Sequence, residues 1–147
     1  MDSPTGFDLS SLPQRDTVTL DILHPLTGEA TGTRVEVAST DSTTYRVAER
    51  EQRNRRLQQL QLGNRRVALT AEESEADSLE MLVRCTVSWS GVREGGVALP
   101  FTPENVRRVY TAYPWLRRQV DEAMADRARF FESSPTSSSA SHGTTSA

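Results

Sequence analysis

The sequence is short of most side chains that perform chemistry. Its 147 residues include one cysteine, two histidines, no lysine, and only two tryptophans, three tyrosines and four phenylalanines. A lone cysteine allows no intrachain disulfide and points to a reducing compartment. Cys85 lies in the apolar run from Leu79 to Val87, which reads as a buried, inert thiol, not a nucleophile. His24 stands in a turn and His142 in a Ser-rich tail, so with one cysteine they do not make up a zinc site. The opening Met-Asp-Ser-Pro-Thr-Gly has neither the basic nor the apolar region of a signal peptide. No apolar run nears the ~20 residues that cross a bilayer. P-loop, G-x-S-x-G and dinucleotide fingerprints are absent too. These absences set the expectation of a soluble, cytoplasmic, non-enzymatic protein with no cofactor, no metal and no membrane partner.

What is present is a mixed pattern of charge and short periodic segments. All 17 basic residues are arginine, set against 20 acids for a formal charge of −3, so there is no overall pull toward nucleic acid. The uniform choice of arginine is read as the imprint of a GC-rich genome. Seven arginines fall between Arg46 and Arg66, yet no aromatic is interleaved after Tyr45 to stack bases. The expected reading is a solvated helix paired internally, Glu49 with Arg53 and Glu51 with Arg55, and nucleic acid is not expected as a partner.

Residues 1–15 read as a mobile lead. Residues 16–132 read as a single α+β domain, in which an N-terminal antiparallel β-hairpin packs with three to four α-helices. Residues 133–147 read as a disordered Ser/Thr-rich tail. Val18, Leu20 and Ile22 alternate with polar neighbours, as do Val35 and Val37, giving the hairpin over 17–38. Ser39 to Ser42 offers N-caps for a helix over 43–62 with a narrow buried stripe, stopped by Gly63-Asn64. Thr70 and Glu73 have capping-box spacing, and Ala76, Leu79, Leu82, Val83 and Thr86 continue a helix across 71–87. The acidic start of that helix is placed to face the arginine-rich one. Gly95-Gly96 marks a small hairpin within 91–100. Thr102-Pro103-Glu104 then starts a short helix with the stripe Val106, Val109, Tyr110 and Tyr113. Pro114 breaks it and opens a last helix from about 115 to 131, with Leu116, Val120, Ala123, Met124 and Phe131 on one face.

Both tryptophans, three of the four phenylalanines and two of the three tyrosines lie between Trp89 and Phe131. Aromatics bury the most apolar surface per side chain, so the core is expected there. Trp89, Phe101, Tyr110, Tyr113 and Trp115 are the candidates for a protein-binding surface; the plain alternative for all five is core packing.

The order of these pieces carries a resemblance. His24-Pro25-Leu26-Thr27-Gly28 between two strands is followed by Thr40-Asp41-Ser42 and Tyr45-Arg46, which open the arginine-rich helix. Next come Leu69-Thr70-Ala71-Glu72-Glu73, Trp89-Ser90-Gly91, and Pro100-Phe101-Thr102-Pro103-Glu104-Asn105 with Tyr110. Tyr113-Pro114-Trp115-Leu116, Gln119-Val120 and Asp126-Arg127 before Phe130 complete the set. Over residues 7 to 132 this resembles the tail assembly chaperones of long-tailed bacteriophages and prophages. The resemblance implies a non-enzymatic protein of the host bacterial cytoplasm that binds the phage tape measure protein during tail morphogenesis. It also implies the tail tube protein and self-association as further contacts. The alternative is a minor structural tail or head–tail joining protein retained in the virion. The family supplies no catalytic residues to carry over.

Overall fold

The computed structural model describes residues 6–62 and 70–131. The fold is α+β. Strands β1 (Thr17–Leu23), β2 (Ala30–Ala38) and β3 (Thr86–Ser90) form an antiparallel sheet in the order β1-β2-β3. Helices α1 (Thr43–Gln61), α2 (Ala71–Cys85), α3 (Pro103–Ala112) and α4 (Pro114–Ala125) complete the body, with a two-stranded ribbon of β4 (Arg93–Glu94) and β5 (Val97–Ala98).

The hairpin over 17–38 forms as its alternation predicts, pairing Val18 with Val37 and Leu20 with Val35. It does not stay a hairpin. The helix expected across 71–87 ends at Cys85, and Thr86 to Ser90 becomes a third strand with Trp89 opposite Val35 and Ser88 opposite Glu36. Thr86 was expected on a helix face. Its hydroxyl instead donates to the Leu82 carbonyl (2.7 Å), while its N–H turns back to the Val83 carbonyl. That local bonding closes the helix end. Since the Thr86 proton is used on Leu82, the buried Tyr110 hydroxyl donates to Thr86 Oγ1 at 2.7 Å. The same burial raises the Tyr110 pKa well above the usual phenol value.

One face of the sheet is polar. Glu36 spans it, accepting from Thr17 on β1 (2.8 Å) and Ser88 on β3 (2.9 Å). The other face meets the helices in one apolar cluster that includes Ile22, Val35, Leu82, Val109, Val120 and Phe130. Fully burying each such side chain contributes about 1.5–3 kcal/mol. Gln119 on α4 closes one end of β1, its amide bonding both the N–H and the carbonyl of Leu23 at 2.8 Å.

The charges largely join helices. Glu49 pairs with Arg53 as the spacing predicts, at 3.5 Å. Glu51 does not take Arg55; it reaches Arg84 on α2 (2.8 Å). Arg56 binds Asp77 (2.6 Å), so the acidic side of α2 does face α1. On the same helix, Glu80 holds Arg107 of α3 and Glu75 holds Arg117 of α4, at 2.6 and 2.5 Å. Local propensity sets Glu–Arg partners only within one helix; packing of α2 against three others decides the rest. The capping box at Thr70 and Glu73 forms as read. The buried stripe of α1 is narrower than expected: Ala48 is its only buried residue, and Leu57 and Leu60 are exposed. The stop at Gly63-Asn64 and the tail reading lie outside the described residues.

The last helix is shorter than its periodicity suggests. It ends at Ala125, and a 3-10 turn (Arg127–Phe130) follows. The change of pitch brings Phe130 to full burial, where the helical period had pointed to Phe131. This end clasps the N-terminal segment. Arg15 donates its N–H to the Phe130 carbonyl (2.5 Å), and Gln14 bridges to Phe131. Asp41, before α1, accepts from Nε and one terminal nitrogen of Arg127 (2.8 and 2.9 Å) and from the Gln14 amide (2.8 Å). Residues 14 and 15 of the expected lead are therefore tied to the body. Phe7, Leu9 and Leu12 are exposed.

Arg127 and then Gln14 hold the Asp41 carboxyl below the ordinary carboxylate range. A depressed folded-state pKa contributes stability that is present above the unfolded value, about 3.9, and lost as pH falls through the folded value. Chemical denaturation of the wild type and Asp41→Asn across pH 2–7 is expected to show the wild type more stable above about pH 4. The gap should close on acidification. A gap that stays constant to the lowest pH would show that the charge of Asp41 is not what holds the clasp.

Candidate functional site

An apolar recess lies where the β4–β5 ribbon meets the α3–α4 junction. Two residues per strand do not hold a ribbon alone. Its turn is the two-residue Gly95-Gly96, both at positive φ (61° and 80°), which suits a tight hairpin turn. Arg93 bonds the Gly96 carbonyl across that turn (2.7 Å), and further contacts come from outside. Glu94 accepts the Tyr113 hydroxyl (2.5 Å) and pairs with Arg108 (2.8 Å). The Tyr113 bond, then Arg108, keeps the Glu94 carboxyl below its ordinary pKa, and the same contact raises that of Tyr113. Trp89 reaches over from β3 to donate its indole N–H to the Leu99 carbonyl (3.1 Å). Its ring meets Phe101 edge to face, with centroids 5.5 Å apart and planes at 81°, a favoured aromatic geometry. Asn105 bonds the Pro100 carbonyl (2.9 Å) and so fixes the approach to α3.

Between ribbon and helices lies an open pocket of about 120 Å³, lined by Val92, Leu99, Val109, Tyr113, Trp115 and Leu116, with Arg93 at its edge. Trp115 and Phe101 each keep 38% of their surface in water, and Val97 64%. The Tyr113-Pro114-Trp115 sequence explains the placement. Proline opens α4 at its first position, which leaves Trp115 in the first turn, beside the ribbon.

Four of the five candidate aromatics thus meet around one structure: Tyr113 and Trp115 in the pocket, Trp89 and Phe101 bracing the ribbon that walls it. Tyr110 does not join them. It is 1% exposed and its hydroxyl is committed to Thr86, so its place is the core, one turn along α3 from buried Val106. Sequence reasoning missed Val92, Leu99 and Glu94 as parts of the site. The alternation of Val97 and Leu99 was the available signal for the ribbon, but nothing local points to the Glu94–Tyr113 bond that holds it down.

Chemically the arrangement offers an apolar recess, an indole and a phenyl edge, and a carboxylate already bonded to two neighbours. It suits covering another molecule's apolar group. Cys85 is fully buried, and desolvation pushes its thiol pKa up to about 11. Among the described residues, no group of three or more His, Cys, Asp or Glu is placed to hold a metal ion, and no helix is long and apolar enough to cross a membrane. No family model, curated protein or solved structure matches this chain.

Proposed function

We propose that this protein is a non-enzymatic phage tail assembly chaperone that binds the tape measure protein in the host bacterial cytoplasm while the tail is built. The ordered set of motifs from His24 to Phe130 suggests the family. The observation that carries the reading to a mechanism is the exposed pocket at Trp115, flanked by the Trp89–Phe101 pair. A long helical client presents rows of apolar side chains at helical spacing, and a recess with aromatic walls shields one such side chain at a time. Many weak, repeated contacts then cover the client without locking it, which suits a cover that must later be displaced by tube subunits.

Mass spectrometry of purified virions beside the infected-cell lysate tests the role. The protein should be abundant in lysate and missing from particles, and it should co-purify with the tape measure protein. Trp115→Ala should weaken that capture by about tenfold or more, the loss typical of an aromatic anchor. Fixed copy number in particles would instead make it a minor tail or head–tail joining protein.

A further inference from the structure

Helix α1 packs chiefly on α2, and that contact uses one of its sides. Ala48 is buried there, and Gln52 donates to the Asp77 carbonyl (2.9 Å). Arg56 and Glu51 flank them with their pairs to Asp77 and Arg84. The opposite side carries Arg46, Arg50, Arg53, Leu57 and Leu60, at alternating spacings of four and three. Such spacing keeps side chains on one stripe of a helix, here about 21 Å long. All five are exposed, Leu57 by 51% and Leu60 by 43%. Little of the stripe's positive charge is neutralised nearby. Arg50 has no ion-pair partner among the described residues. Arg53 has Glu49, one turn back at 3.5 Å. Arg46 bonds the Asp41 backbone carbonyl (3.0 Å), while the Asp41 carboxylate is engaged by Arg127.

We propose that this outer stripe of α1 is a docking surface for an acidic amphipathic helix of another protein, one that presents leucine-type side chains flanked by Asp or Glu. The two halves of the stripe make separate demands. Leu57 and Leu60 call for apolar cover, and the three arginines ahead of them call for carboxylates. Arginine serves both needs, since its stem lies along an apolar side chain while its guanidinium forks onto a carboxylate. A helix laid along a helix matches both the length of the stripe and its spacing. A nucleic-acid backbone would satisfy the arginines but leave the leucines in water, and the stripe holds no aromatic to stack a base. The α1 of a second copy brings the same three arginines and no acid on the stripe, so the charges do not complement one another. No residue of α1 lines the Trp115 pocket. The proposal therefore does not rest on the phage role and stands or falls separately from it.

The probe is a labelled synthetic peptide of about three heptads, with leucine at the two core positions and glutamate at the two flanking ones. Its own copies repel one another, so it is free to pair elsewhere. Anisotropy titration with the full chain at about 50 mM salt should give saturable 1:1 binding, weakened several-fold at about 0.5 M. Arg50→Glu with Arg53→Glu should weaken it about tenfold or more, as should Leu57→Ser with Leu60→Ser. All four positions are exposed, so both variants keep the fold, which circular dichroism checks. A peptide with lysine in place of glutamate should bind the Arg→Glu variant better than the wild type. Trp89 and Trp115 lie off α1, so tryptophan emission should hold steady through the titration. No binding at about 1 mM peptide would overturn the proposal. So would double variants that bind like the wild type, or a serine-for-leucine peptide that binds as well. An emission shift would place the peptide at the pocket instead, and a DNA duplex of about 20 base pairs that displaces it at lower concentration would reassign the stripe to nucleic acid.

Discussion

Replacing Phe130 with alanine is expected to cost about 3–5 kcal/mol, the range for truncating a buried aromatic. Phe130 is fully buried in the cluster shared by the sheet and α4. Its backbone carbonyl also receives the Arg15 N–H, so the side chain seats the residue on which the N-terminal segment is fastened. Against a domain stability of about 5–15 kcal/mol, that is roughly a fifth or more of the total, and the melting temperature should fall by on the order of 10 °C. Phe131→Ala is the control. Its side chain is only partly buried, and the loss should stay under about 1 kcal/mol. Denaturant titration of the two variants side by side reads the difference. Equal losses would mean that the 3-10 turn does not hold the register described.

Gly91→Ala is expected to be the most damaging glycine-to-alanine change among the described residues. Gly91 sits at φ +70°, where an L side chain is strained, and a Cβ there would press into the backbone carbonyl of Gly32. The left-handed backbone alone costs roughly 1–3 kcal/mol, and the carbonyl cannot swing aside as a flexible side chain would. Thr33 donates to the Gly91 carbonyl at 2.8 Å, so a shift here also breaks the bond between β2 and the start of the ribbon. Two readouts should move together: the denaturation midpoint and Trp89 emission, since the indole is bonded to the ribbon. The comparison is Gly28→Ala, also at positive φ but with open space around its Cβ, which carries the backbone cost without the clash. A Gly91 loss no larger than the Gly28 loss would remove the close approach as its cause.

Much of the fold is legible where one signal decides. The alternation of β1 and β2, the capping box at Thr70, and Thr102-Pro103 at the start of α3 each rest on contacts within a few residues, and each forms as read. The errors fall where a distant partner overrules a local period. Leu79, Leu82, Val83 and Thr86 do fit a helix, but β-branched Thr86 and Val87 also suit a strand, and β2 offers an edge to pair with. Only the fold brings that edge near. Phe131 was favoured over Phe130 for a similar reason: a 3.6-residue period was carried through a point where the chain tightens to a 3-10 turn. Within the site, the aromatic-rich stretch marks the right region, and the Val106–Val109–Tyr110 stripe already sorts Tyr110 inward. The union of Trp89, Leu99 and Trp115 is not written in any one segment, because it depends on the Glu94–Tyr113 and Trp89–Leu99 bonds across the turn.

The bridge between Gln14 and Phe131 has a consequence for anything joined to this body. The path through the domain begins and finishes at one spot, so the body behaves like a bead hung from a single knot. Residues 14 and 131 lie side by side. Tension applied at those two points would load the Asp41–Arg127 pair and the Arg15–Phe130 bond first, with the sheet and the pocket outside the line of force.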